Sequence, residues 1–221
     1  MAVKIFRLNL QLRFIVLIVV LLIITGCNSV RDNTFFGTVL SKSPKATDFN
    51  LVDQFGQRVR LSEFQNKVVV LTFVYTSCNE ICPSIALKLK DSERYLVDQT
   101  DEISTLLISV DPRGDTLNNT QKFLQDYGMV NKWKYLVGTE AELKPVWDAY
   151  YVSTAIKEVD TSLSESASKD EFQIELLQNY SVTHQGPVYI IDRTGHARSV
   201  FTLPFDPEDL ANDIKLLLDE N

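Results

Sequence analysis

The sequence holds no segment that repeats at a fixed period, which excludes a solenoid or a propeller. It also lacks an apolar run long enough for a membrane span. The unbroken run 14–24 has eleven residues, and a spanning helix needs about 20. Cationic surface is short: 22 Lys and Arg stand against 29 Asp and Glu in 221 residues. That balance argues against nucleic-acid binding, which depends on basic surface. Histidine is scarcer still, with only His184 and His196. Cysteine occurs three times, at Cys27, Cys78 and Cys82, and never as Cys-x-x-Cys, the thioredoxin-type redox signature. What is present is ordinary for a folded chain, 45% hydrophobic and 23% charged, enough for one sizeable domain.

The first segment stands apart. Lys4, Arg7 and Arg13 make it basic, it carries no acid, and its apolar run leads into Ile24-Thr25-Gly26-Cys27. This order resembles a bacterial lipoprotein signal. Residues 1–26 would be removed and Cys27 would carry the lipid. An ordinary signal peptide, or a buried apolar segment with a chance cysteine, is the plainer alternative. Diacylation buries many methylenes at about 0.8 kcal/mol each and can hold a domain at a membrane. Residues 1–26 carry three of the basic residues and none of the acids. The remainder therefore has 19 basic against 29 acidic residues, a net charge of −10. The expected location is extracytoplasmic, lipid-anchored to a bacterial membrane, on its periplasmic side or the outer cell surface. There a Cys78–Cys82 pair can be structural, redox-active or metal-binding.

Residues 27–46 read as the lipidated N-terminus and a polar tether, and 47–221 as the domain. Stretches 49–53 and 58–61 flank Gln54-Phe55-Gly56-Gln57 as a hairpin. Runs 68–75, 103–110 and 188–192 read as buried strands. Pro83 suits the first turn of a helix continued by Ile85, Leu89 and Leu96. Thr116 caps a helix stopped by Gly128, and Thr139 with Glu142 forms a capping box. Arg193-Thr194-Gly195-His196 turns the chain into 197–201. Asp206 and Pro207 start a last helix with a stripe of Leu210, Ile214, Leu217 and Leu218. The polar stretch from 158 towards 180 reads as an exposed insertion. Buried strands alternating with amphipathic helices make an α/β domain.

Cys82 precedes Pro83 and so falls at a helix start, where unpaired N–H groups and the helix dipole favour a thiolate. Cys78, four residues earlier, can bring its sulfur to disulfide distance or share an ion. Two thiolates form a soft set that favours Cu(I), and one imidazole would complete three-coordination. His184, just before the 188–192 strand, is a candidate third ligand, or else a loop or capping histidine. His196 reads as a solvated turn residue. Asp111 and Asp115 read as turn and helix-start residues ahead of any ligand role. Phe73, Tyr75, Trp133, Trp147, Tyr150 and Tyr151 read as packing.

Three elements resemble the Sco/SenC proteins: Thr76-Ser77-Cys78-Asn79-Glu80-Ile81-Cys82-Pro83; Ser109-Val110-Asp111-Pro112 with Asp115-Thr116; and Val182-Thr183-His184 before Tyr189-Ile190-Ile191-Asp192. The resemblance implies a thioredoxin-like fold, a central mixed β-sheet flanked by helices with an N-terminal β-hairpin. It implies copper, as Cu(I) or Cu(II), bound by Cys78, Cys82 and His184. It implies a metallochaperone whose partner is the copper-site subunit of cytochrome c oxidase, or another copper or thiol protein. Members of that family usually carry an acid before the histidine, where this chain has Thr183. The alternative is a thiol–disulfide oxidoreductase that uses Cys78 and Cys82 alone. A merely structural bridge ranks below both, because so short a loop gains little from closure.

Overall fold

The computed structural model describes residues 34–158, 180–184 and 186–220, and of 155–158 and 180–184 the backbone alone. Cys27, the expected signal segment and residues 159–179 of the expected insertion lie outside the described residues.

Hydrophobic runs build the centre. β4 (Val68–Val74) is buried along its whole length. Its side chains alternate between faces. Val68, Val70 and Val74 enter one core with α1 (Ile81–Ser92), α2 (Leu117–Asp126) and α4 (Pro207–Asp219). Val69, Leu71 and Phe73 enter the other, with α3 (Glu140–Ala149) and the hairpin of β2 (Asn50–Val52) and β3 (Arg58–Arg60). β5 (Ile103–Ser109) and β6 (Lys134–Leu136) extend the sheet in parallel on one side of β4. On the other side β9 (Val188–Ile191) runs antiparallel to β4, and β10 (Ala197–Phe201) antiparallel to β9. With β1 (Thr38–Val39) the order is β1-β10-β9-β4-β5-β6. This is the mixed, helix-flanked sheet of a thioredoxin-like fold, with the hairpin ahead of it as expected. Among the described residues, no helix is long and apolar enough to cross a membrane.

The expected caps are present. The Thr116 side chain accepts from the Asn119 N–H, and Asp206 accepts from that of Glu208. Thr139 and Glu142 satisfy each other's orphan donors at the start of α3. Such a cap contributes about 1 kcal/mol.

One expectation changes. The stretch to residue 46 is not all tether, because the folded unit begins at Phe35. β1 pairs with β10, and the Asp213 carboxylate accepts from the backbone N–H groups of Phe36 and Gly37 at 2.7 and 3.2 Å. Gly37 is required there, since a Cβ would lie 2.7 Å from the Phe201 ring. The expected insertion from 158 towards 180 is flanked by pairing: β7 (Thr154–Glu158) and β8 (Tyr180–His184) form a separate two-stranded ribbon.

Candidate metal centre

β4 pairs Val74 with Ser109 at the end of parallel β5, and antiparallel β9 starts opposite Thr72. Three connections therefore meet at one end of the sheet: the cysteine loop after β4, the Asp111 turn after β5, and Pro187 before β9. In open α/β sheets this carboxyl end is where ligands bind. A cavity of about 420 Å³ lies elsewhere, bordered by Lys67 and Ile103 at the opposite ends of β4 and β5.

The cysteine loop turns on a hydrogen bond from the Cys78 N–H to the Tyr75 carbonyl, 3.2 Å. Helix α1 then begins, with Cys82 at its second residue and Pro83 at its third, where the missing N–H has no intrahelical partner to lose. Cys78 and Cys82 are both buried, and no disulfide joins them. The Cys82 N–H donates to Cys78 Sγ at 3.3 Å. The helix-start amide thus serves Cys78, not the sulfur of its own residue. This corrects the expectation of a helix-favoured thiolate at Cys82. Burial pushes the Cys82 thiol well up, and the hydrogen bond with Cys78 and its charge push in the same direction. Ile85, Ala86 and Leu89 share its core and make that burial.

Beneath the loop lies Asp115. Its Oδ1 accepts from the Thr76 N–H at 2.8 Å and the Thr76 hydroxyl at 2.7 Å. Its Oδ2 accepts from Ser109 Oγ at 2.6 Å and Tyr135 Oη at 2.8 Å. Burial raises the carboxyl to about 6, and the hydrogen bonds pull it the other way. Asp111 does act as a turn residue, its carboxylate accepting from the N–H groups of Arg113 and Gly114.

Tyr75 is more than packing. Its phenol is pushed upward first by burial, then by the charge of Cys78 and a hydrogen bond with it, with Cys82 and Asp111 adding to the effect. The residues sequence reasoning missed are therefore Thr76, Tyr75, Asp115 and Tyr135. In the sequence, Thr76 and Asp115 stand out only as parts of the family-like elements, and Tyr75 only as packing.

Of His184 the structure describes the backbone. It ends β8, pairs with Thr154, and stands three residues before Pro187. The Pro187 carbonyl accepts from the Thr72 hydroxyl at 2.9 Å, so β9 is entered at the cysteine end of the sheet. His196 goes to the other end, in the β9–β10 turn, where Nδ1 meets the Thr194 hydroxyl at 2.8 Å. Among the described side chains, no group of three or more His, Cys, Asp or Glu gathers as a metal cluster. The donors in place are two adjacent sulfurs, a set suited to a soft ion or to disulfide chemistry.

Comparison with known proteins follows the same lines. The family model described as SCO1/SenC matches residues 38–219. A "SCO2-like protein" of Rickettsia felis is 27% identical over 168 residues, 76% of this chain and 74% of its own. The solved structure of Bradyrhizobium japonicum ScoI with copper bound has a TM-score of 0.62 and 27% identity, covering 78% of this chain and 99% of its own. BsSco is described as having a disulfide switch and as a member of the Sco family of cytochrome c oxidase assembly proteins. It matches in fold at a TM-score of 0.61, with 19% identity, over 86% of this chain and 100% of its own. The chain belongs to the SCO1/SenC family.

Proposed function

We propose that this protein binds copper through Cys78, Cys82 and His184 and serves assembly of the dinuclear copper site of cytochrome c oxidase. The observation that carries the reading is the pair of buried thiols, with the Cys82 N–H on Cys78 Sγ, at the carboxyl end of a Sco-type sheet. Relatives described as copper-bound support the cargo, and a relative described as an oxidase assembly protein supports the role. Thiolate pairs hold Cu(I) well, and support for His184 is its position at the end of β8, three residues before Pro187, whose carbonyl accepts from Thr72 at the cysteine end. Lipid on Cys27 anchors the domain outside the cytoplasm in this reading, supported by the order of basic, apolar and small–Cys segments.

A second reading, thiol–disulfide exchange, is favoured by the adjacency of the two thiols and by the disulfide switch described for BsSco. One experiment separates the two. Cu(I) affinity of the reduced protein is measured by competition beside disulfide-reductase turnover, for the parent, His184→Ala and each Cys→Ala variant. The copper reading expects His184→Ala to weaken binding by about tenfold or more, at least as much as losing a group that only orients a ligand. Unchanged affinity in that variant, with brisk copper-independent turnover, would reject the three-ligand site in favour of the enzyme.

A further inference from the structure

Asp115 has surroundings that neither a turn nor a helix cap explains. It is 6% exposed, and α2 takes its cap from the neighbouring Thr116. Its four hydrogen bonds come from three parts of the chain: Thr76 after β4, Ser109 at the end of β5, and Tyr135 in β6. The Ser109 hydroxyl is itself oriented. It accepts from the Asp111 N–H at 3.1 Å, so its own proton goes to Asp115. Among the described residues, no cationic side chain pairs with Asp115. A buried carboxylate held by neutral donors alone is costly to keep. Here it grips both polar groups of a residue two positions before Cys78. At such depth a charge acts on its neighbours far more strongly than in water. After burial, the Asp115 charge and its hydrogen bond are the next causes that push the Tyr135 phenol up.

Resting on the copper reading above, we propose that Asp115 is a positioning residue of the Cys78–Cys82 site: it clamps Thr76, and its uncompensated negative charge biases the bound copper toward Cu(II) over Cu(I). Two thiolates with Cu(I) carry one net negative charge, and with Cu(II) none. A fixed anion beneath the pair opposes the first assembly and leaves the second nearly untouched. The bias is a difference between two binding equilibria and involves no electron transfer.

Asp115→Asn separates the clamp from the charge. Its amide oxygen still accepts from Thr76, and the Ser109 and Tyr135 hydroxyls can rotate to accept from its NH₂. Asp115→Ala removes both roles. The copper-free measurement is hydrogen exchange at the Thr76 amide. It should stay within about threefold of the parent in Asp115→Asn and quicken by about tenfold or more in Asp115→Ala. The copper measurement is the ratio of Cu(I) to Cu(II) dissociation constants by chelator competition. Asp115→Asn should move it toward Cu(I) by about tenfold or more. Tyr135→Phe removes one of the donors that hold the buried carboxylate in its charged form, and should therefore move the ratio toward Cu(I) as well. That variant decides the matter if Asp115→Asn does not fold. A ratio unmoved by both substitutions, in proteins that still bind copper, overturns the bias and leaves the copper reading standing. A parent that binds neither ion overturns the copper reading and the bias together. Unchanged Thr76 exchange in Asp115→Ala overturns the clamp.

Discussion

Replacing Asp115 by Asn should change how stability depends on pH, by an amount the structure sets. In the folded protein this carboxyl titrates at about 6 against an ordinary 3.8, burial being the largest cause. The folded state therefore holds the proton more tightly than the unfolded chain does. Stability contributed by the group is fully present below the unfolded value and is lost as pH rises through the folded one. The gap between 3.8 and about 6 corresponds to about 3 kcal/mol. About 2 kcal/mol of that falls between about pH 4 and about pH 7. The Asn variant has no such titration. Urea unfolding of the reduced, copper-free parent and variant across this range gives the difference directly. Asp213, whose carboxyl is also raised by burial, is common to both chains and cancels. The variant should gain on the parent by about 2 kcal/mol between the two ends. A difference that stays flat, or one in which the parent gains as pH rises, would refute the reasoning.

Three further outcomes test the fold. Leu71, fully buried at the centre of β4, should cost about 2–5 kcal/mol when changed to Ala, read by urea unfolding. Thr139→Ala breaks the capping box of α3 and should cost about 1 kcal/mol in the same assay, with Cu(I) affinity unchanged. Asp213→Ala frees the amides of Phe36 and Gly37, which should exchange about tenfold faster or more while Thr76 exchange holds at the parent rate.

Much of the fold was legible because its signals are local. The run at β4 is apolar on both faces, and it feeds two cores that way. The caps at Thr116, Thr139 and Asp206 each depend on residues two or three positions apart. β6 and β1 were not legible. Three residues, or two, are too few to show a period, and only the neighbouring strand makes them strands. At the site, the cysteine pair was visible by spacing. Asp115 was not, because its partners Thr76 and Tyr135 lie 39 and 20 residues away. The protonation of Cys82 was misread for a related reason. Helix-start logic sees the amides of α1, whereas Ile85, Ala86 and Leu89, which bury the sulfur, join it only in the folded core.

The short pairing of β1 with β10 has a consequence for self-association. β10 is bonded on one side to β9, and its other side is covered by Thr38 and Val39, with the Leu40 N–H donating to the Arg198 carbonyl at 2.9 Å. A chain started at residue 47 would leave the Ser199–Val200 stretch with unmatched N–H and C=O groups along an open edge. Such an edge is a template for a strand from another molecule. The first residues of the folded unit thus act as a guard against edge-to-edge polymerisation, at the far side of the sheet from β6.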